Sequence, residues 1–405
     1  MIERNAYIKQ LAAYIDTPFI KVLSGIRRSG KSGILELLRE HLVKAGKPEE
    51  SLIYINFEVW EEERLNSAAA RRHIKALIGD MQRVYLLLDE VQLLPGWERV
   101  VNAFFAEGKC DIYITGSNSK LLSSELSTLL SGRTVQFTVR TLSFSEFIDF
   151  TNGFSTEDEK QKSSPGIWDY IRRGGFPGIH YLKNADDTLV YKTVQDIFAA
   201  VVLKDVLERN NLRNPDLLER VTRFLLDNTG SLISARSISN YFKSQNRSIS
   251  VETILDYIAA LEAAYAVEKV RRYDVQGKSI LNVREKYYPA DISFIHALLG
   301  FDTRRLPGVM ETLVFHELRR RGYEVFTGQL GDKEIDFVAT KDSEKIYIQT
   351  TYLINNDAEI IKREFGNLLA IPDQYPKLVL SLDEHWKGTV EGVRHQHLGE
   401  WLHRG

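Results

Sequence analysis

The run Gly25-Ile26-Arg27-Arg28-Ser29-Gly30-Lys31-Ser32 follows directly on the apolar stretch Phe19 to Leu23. Its spacing is that of a phosphate-binding loop. In such a loop backbone N–H groups wrap phosphate oxygens, the lysine reaches the β/γ pair and the last hydroxyl helps hold Mg²⁺. The apolar stretch reads as a strand, and Ile34-Leu35-Glu36-Leu37-Leu38 reads as the start of a helix. This strand–loop–helix context commits the first part of the chain to an α/β fold with a parallel sheet. Gly25, Ser29, Gly30, Lys31, Ser32 and Gly33 are therefore candidates for holding ATP. Arg27 and Arg28 join them as groups that reach phosphates or a neighbouring carboxylate, although their spacing fits a solvated position equally well.

The segment Val84-Tyr85-Leu86-Leu87-Leu88-Asp89-Glu90 supplies the second half of such a site. An apolar run ending in two acids reads as a buried parallel strand that delivers carboxylates to the C-terminal edge of its sheet, where open α/β domains bind ligands. Asp89 is the candidate Mg²⁺ partner with Ser32, and Glu90 is placed to polarise the water that attacks the γ-phosphate. Read without Lys31 upstream, the same acids would simply open a solvated loop. Leu52 to Phe57 forms another strand between these motifs, followed by the acidic patch Glu58, Glu61, Glu62 and Glu63. A strand separating the phosphate loop from the acidic strand belongs to the sheet arrangement of ring and motor ATPases. Asp111 to Asn118 is a further strand with a polar end. Asn118, beside Thr115 and Ser117, is a candidate for orienting water or sensing the γ-phosphate, and a helix cap or turn explains it as well.

Gly25 to Ser32, Leu88-Asp89-Glu90, Thr115-Gly116-Ser117-Asn118, Leu130-Ser131-Gly132-Arg133 and Thr141-Leu142-Ser143-Phe144-Ser145-Glu146-Phe147 together carry a resemblance. They are similar to the bacterial and archaeal AAA+ ATPase family that has a C-terminal domain of the DUF4143 type, across nearly the whole chain. The resemblance implies a P-loop AAA+ core, a helical lid, a winged-helix-like unit and a C-terminal restriction-endonuclease-like α/β domain. It also makes Arg133 a catalytic candidate that neutralises phosphate charge in its own or a neighbouring subunit, which would make the active form a homo-oligomer. Taken alone, Arg133 is a surface or salt-bridge arginine.

A chain of 405 residues exceeds one comfortable core and suggests roughly three or four compact units. The formal net charge of −2 provides no global positive field for nucleic acid or anionic lipid. Cys110 is the one cysteine, so no intrachain disulfide forms, and packing beside a core strand is its expected role. No run approaches about 20 apolar residues and the amino terminus lacks a secretion pattern, so the expectation is a cytoplasmic protein with no membrane segment.

The expected organisation is an ATPase core over 1–150, a linker and helical lid over 151–210, a winged-helix-like unit over 211–285 and a nuclease-like domain over 286–405. Residues 151–166 are polar and breaker-rich, which suits an exposed connection. Within 211–285, three short helices precede a hairpin of Val267 to Tyr273 with Ser279 to Val283. DNA is the usual partner of that outline, but the would-be recognition segment Ser250 to Glu262 carries three acids and no Lys or Arg. Base and phosphate contacts favour the opposite sign. Arg236, Lys243, Arg247, Lys269, Arg271, Arg272 and Lys278 leave backbone contact open, so double-stranded DNA and a protein client both stand as partners.

In the last domain a helix bearing Glu311 and Glu317, a strand with Glu334 and Asp336, and a strand ending Gln349-Thr350-Thr351 are arranged like a restriction-endonuclease core. An active site of that type needs acids and a lysine around a metal. Threonine stands where its lysine would be, and Lys333 or Lys345 would have to substitute. The expectation is a degenerate nuclease fold used for interaction. The functional expectation is Mg²⁺-dependent ATP hydrolysis coupled to assembly or remodelling of a partner, with a nucleotide-controlled switch or a DNA-processing nuclease-ATPase as alternatives.

Overall fold

The computed structural model describes residues 2–60, 66–119, 132–154, 165–182, 185–208, 210, 212, 214–355, 357–386 and 388–404. Glu61, Glu62, Glu63, Leu130, Ser131 and most of the expected linker, 155–164, lie outside the described residues. The chain forms two compact units, residues 1–141 with 263–265, and residues 142–262 with 266–405.

In the first unit, β1 (Ile20–Ser24), β2 (Leu52–Asn56), β3 (Val84–Asp89), β4 (Cys110–Gly116) and β5 (Thr134–Thr138) form a parallel sheet in the order β2-β3-β4-β1-β5. The strand that separates the phosphate-loop strand from the acidic strand in space is therefore β4, while β2, which separates them in sequence, lies at the edge. Side chains alternate across the sheet. Val84, Leu86 and Leu88 pack with Ile74 of helix α3 (Ser67–Ile78) and with Val100, Val101 and Phe104 of helix α4 (Trp97–Glu107). Tyr85 and Leu87 pack on the other face with Tyr7 and Leu11 of helix α1 (Asn5–Ala12) and with Ile34, Leu35, Leu38 and Leu42 of helix α2 (Lys31–Lys44). Both faces are covered, which is why β3 reads as an unbroken apolar run.

Away from the loop, Lys21 and Asp111 form a fully buried ion pair in this sheet. Burial pulls the Lys21 pKa down, and Asp111 opposes it. Asp111 also accepts hydrogen bonds from the Tyr113 hydroxyl at 3.0 Å and the Asp16 N–H at 2.9 Å, so its charge is compensated inside the fold.

The second unit contains the helices Phe144–Phe154, Ile167–Arg173 and Asp187–Ala200, the last continuing in wider π-type turns over Val201–Glu208. Helices Pro215–Asp227, Ala235–Ser244 and Val251–Ala263 follow. Strands β6 (Val267–Asp274), β7 (Ser279–Pro289), β8 (Glu324–Leu330), β9 (Lys333–Lys341), β10 (Glu344–Thr351), β11 (Lys377–Ser381), β12 (Thr389–Val390) and β13 (Val393–His397) join one mixed sheet ordered β12-β13-β11-β10-β9-β8-β6-β7. The hairpin expected as a free-standing wing is β6 with β7. Through Arg272–Asp274 it pairs in parallel with Thr327–Gln329 of β8. The reason is the edge of β8, whose unpaired N–H and C=O groups are satisfied by a neighbouring strand. Strand β7 runs on without a break through positions 285 and 286.

Candidate functional site

The phosphate loop leaves β1 at Ser24 and enters α2 at Lys31. Gly30 caps the helix with a left-handed φ of 94°, and Arg28 also lies in that region with a φ of 67°. Lys31 is buried, and its ammonium donates to the carbonyls of Gly25 and Ile26, each at 3.2 Å. It stands 3.7 Å from Glu90 Oε1. Ser29 is fully buried and its hydroxyl oxygen has no hydrogen-bond partner among the described residues. A buried hydroxyl with an unused donor, in a loop of N–H groups at a helix N-terminus, fits an anionic oxygen of a phosphate.

Asp89 ends β3 and is completely buried. Its Oδ2 accepts the Tyr54 hydroxyl at 2.9 Å, and its Oδ1 accepts the Thr115 hydroxyl. Burial, and then the charge of Asp89, pushes the Tyr54 phenol up, so it stays a neutral donor. Glu90 is the next residue, in the left-handed region with a φ of 52°. Its N–H donates to Thr115 Oγ1 at 2.9 Å, and its Oε2 accepts the Gln92 side-chain amide. One hydroxyl thus ties both acids to β4. The donor set fits a divalent metal beside a phosphate: Ser32, half-buried in the first turn of α2, and Asp89 would hold Mg²⁺, which would supply neutralisation of phosphate charge.

Asn118 is half-buried just past β4, on the edge that carries Asp89, because Leu88 pairs with Ile114. Gly33 follows Ser32 on α2. Arg27 reaches Glu58, with a guanidinium nitrogen 3.2 Å from its Oε1, and Arg28 is exposed.

Arg133 is not brought to this edge. It precedes β5, and its carbonyl accepts the N–H of Ile20, the first residue of β1, at 2.7 Å. The loop leaves β1 at its other end, five residues on, which at about 3.3 Å per residue is roughly 15 Å away. The Arg133 guanidinium donates to Asn102 Oδ1 at 2.9 Å and lies over the Phe105 ring, both on α4. It is an exposed residue at the end of β1 opposite the loop.

Sequence reasoning missed several groups that hold the site. Arg4 is buried and donates to the Ser29 carbonyl at 2.9 Å and the Arg140 carbonyl at 3.0 Å, bracing the loop against the chain beyond β5. An isolated arginine near the amino terminus offered no signal for this. Thr115 had one, since it lies in the strand-end segment Asp111 to Asn118 already singled out, whereas Gln92 stands two residues past the acidic segment. Cys110 is buried and burial pushes its thiol up to about 11, so it packs and is no nucleophile.

In the second unit the helix acid beside Asp336 is Glu311, not Glu317. Glu317 turns to Arg321 at 2.8 Å and Arg320 at 3.6 Å. The lysine comes from neither Lys333 nor Lys345. It is Lys286 on β7, fully buried, 2.9 Å from Glu311, 2.7 Å from Glu334 and 3.9 Å from Asp336. Lys345 instead lies over the Tyr273, Tyr347 and Tyr375 rings. Gln349 accepts the Asp336 N–H at 3.3 Å, and Thr350 donates to Asp336 from its N–H at 2.7 Å and its hydroxyl at 2.9 Å. Among the described residues no group of three or more His, Cys, Asp or Glu is arranged to hold a metal ion.

The helical segment before β6, and β6 at Lys269, keep many of their cations paired. Arg220 and Arg247 meet Asp216 at 2.9 and 3.4 Å, Arg223 meets Glu219 at 2.9 Å, and Lys269 meets Glu262 at 3.7 Å. No helix among the described residues is long and apolar enough to cross a membrane.

Comparison with known proteins agrees with this geometry. Residues 17–148 match the model of an AAA domain, and residues 164–305 match a domain of unknown function, DUF8612. The fold resembles the solved Walker-type ATPase paby2304 of Pyrococcus abyssi, with a TM-score of 0.52 and 16% identity over 74% of this chain and 96% of that one. That likeness is one of fold alone, an α/β fold with a parallel sheet. An uncharacterized protein of Haemophilus influenzae is 35% identical over 99% of this chain and 98% of its own length. The uncharacterized protein MJ1544 of Methanocaldococcus jannaschii is 30% identical over 83% of this chain and 75% of its own. The chain therefore belongs to the family of these two proteins, and its residues 17–148 are an AAA domain.

Proposed function

We propose that this protein binds ATP with Mg²⁺ at the C-terminal edge of its first sheet, hydrolyses it, and couples the cycle to assembly or remodelling of a partner. The observation that supports this best is the convergence of Lys31, Asp89 and Glu90, with Lys31 and Glu90 3.7 Å apart and Asp89 buried between two hydroxyl donors. Lys31, the loop N–H groups and the Ser29 hydroxyl stabilise charge developing on the transferring phosphoryl group. Glu90 orients the attacking water and takes its proton, and Asn118 aligns the γ-phosphate. Arg133 serves a phosphate only in a neighbouring subunit, which makes turnover depend on assembly.

Pairing of the cations at Arg220, Arg223 and Arg247 favours a protein client over double-stranded DNA. For residues 286–405 our reading is a DUF4143-type, nuclease-like domain used for interaction. The succession of the helix Leu306–Arg320, β8, β9, β10, the helix Ala358–Leu369 and β11 supports it.

The test is steady-state ATP hydrolysis against protein concentration, with wild type and Glu90→Gln side by side, with and without double-stranded DNA. Glu90→Gln should lower turnover by about 10²-fold or more while leaving nucleotide affinity unchanged. Turnover per subunit should rise with concentration. A flat, mutation-insensitive baseline would make the protein a nucleotide-controlled switch, and stimulation by DNA would make nucleic acid its client.

A further inference from the structure

The attacking water needs more than one acceptor. To present a lone pair to the γ-phosphorus it must point both hydrogens at the protein, and Glu90 accounts for one. The second acceptor has to be buried beside the Glu90 carboxylate and free of other donors.

Gln92 meets that description. It lies in the short turn after β3, two residues beyond Glu90, and its side-chain N–H donates to Glu90 Oε2. This bond fixes the plane of the amide. Its oxygen, Oε1, is buried and has no hydrogen-bond donor among the described residues. A buried amide oxygen left without a donor is unfavourable, so such groups mark places where a ligand or water completes the network. Two neighbouring groups cannot serve as this acceptor. The Thr115 hydroxyl is used by Asp89 and the Glu90 N–H, and the Lys31 ammonium is a donor only.

Resting on the ATPase reading of this site, we infer that Gln92 is a second water-binding catalytic residue. One hydrogen of the water is accepted by Glu90 and the other by Gln92 Oε1. As the water oxygen forms its bond to the γ-phosphorus, the bond from phosphorus to the β–γ bridging oxygen breaks. The proton lost by the water passes to Glu90, and the products are ADP and inorganic phosphate. The amide N–H holds Glu90 in register, so Gln92 acts at both ends.

Two substitutions separate the roles. Gln92→Leu keeps similar bulk and removes both the donor and the acceptor. Gln92→Glu keeps an acceptor and removes the donor. ATP turnover against pH and binding of a fluorescent ATP analogue would be measured for both, with Glu90→Gln as reference. We expect Gln92→Leu to lose turnover by about tenfold or more with nucleotide affinity within about twofold of wild type. Gln92→Glu should keep most of its turnover.

Equal losses in both variants would leave only the hold on Glu90 and overturn the inference, as would full turnover in Gln92→Leu. A loss of nucleotide affinity beyond about tenfold in Gln92→Leu would make Gln92 a binding group and overturn it too. If Glu90→Gln leaves turnover unchanged, the ATPase reading has failed and not merely this extension of it.

Discussion

Gly25→Ala should lose nucleotide binding by roughly 10- to 10³-fold, the equivalent of about 1.4–4 kcal/mol. Gly25 has a φ of 154°, and a Cβ built on it would lie 2.1 Å from the Val139 carbonyl oxygen. That oxygen belongs to backbone and has no rotamer by which to move aside. Val139 is itself tied to β1, because its N–H donates to the Ser24 carbonyl at 2.7 Å. The methyl group must therefore part the loop from the segment after β5 or twist the loop. Either change moves the Gly25 and Ile26 carbonyls on which Lys31 rests. Titration with a fluorescent ATP analogue and a thermal melt would read the two consequences. Binding within about threefold of wild type would show that phosphate capture does not depend on this close approach.

Lys286→Met should destabilise the second unit by about 3–5 kcal/mol at pH 8, the usual cost of removing one partner from a buried ion pair. Lys286 is the ammonium among Glu311, Glu334 and Asp336, and Tyr288 adds a hydroxyl donor to Glu311 at 2.7 Å. Burial works against charge on Lys286, but Glu311, Asp336 and Glu334 outweigh it and hold its pKa above the ordinary value. Burial raises Asp336 and pushes Glu311 up to about 7 from an ordinary 4.5.

The sign of the pH dependence follows. The folded chain keeps a proton on Glu311 that the unfolded chain releases, so the stability from this group is complete below about 4.5 and is lost as pH rises through about 7. In Lys286→Met the acids are deprived of their ammonium and their pKa values rise further. Acidification from pH 8 to pH 5 should then restore part of the lost stability, and more of it than wild type gains. Urea unfolding followed at both pH values would measure this. A loss under about 1 kcal/mol at pH 8, indifferent to pH, would mean that water already solvates these acids.

The nucleotide-site elements were legible because they are local. A glycine-bearing loop between a strand and a helix, and an apolar strand ending in Asp89-Glu90, are each written within a dozen neighbouring residues, and tertiary packing has little freedom to change them. Helices were legible for the same reason at Leu217 to Leu226 and Val251 to Ala263, apolar segments set apart by Ser, Asn and Gly, and the structure has them at Pro215–Asp227 and Val251–Ala263.

Partnerships across long sequence separation were not legible. Arg4 reaches Ser29, Thr115 joins Asp89 to Glu90, and Lys286 joins Glu311 to Asp336, and none of these pairs is marked by spacing. Glu317 and Glu311 both sat in the expected helix, and their positions differ by six residues, nearly two turns. Which of them faces Asp336 is settled by the face the helix turns to the sheet. Arg133 shows the same limit, since its landmark segment says nothing about which end of β5 it occupies relative to the loop.

The sequence by itself determined that a phosphate-binding loop and a pair of acids meet at one edge of a parallel sheet, because backbone geometry dictates the loop from residues adjacent in the chain. Only the tertiary structure decided that β4 stands between β1 and β3, that Arg133 lies at the end of β1 opposite the loop, that β6 and β7 complete the second sheet, and that Lys286 is the cation among its acids. Strand order, helix facing and ion-pair choice minimise exposed apolar surface and uncompensated charge over the whole fold, and no local stretch of sequence carries that sum.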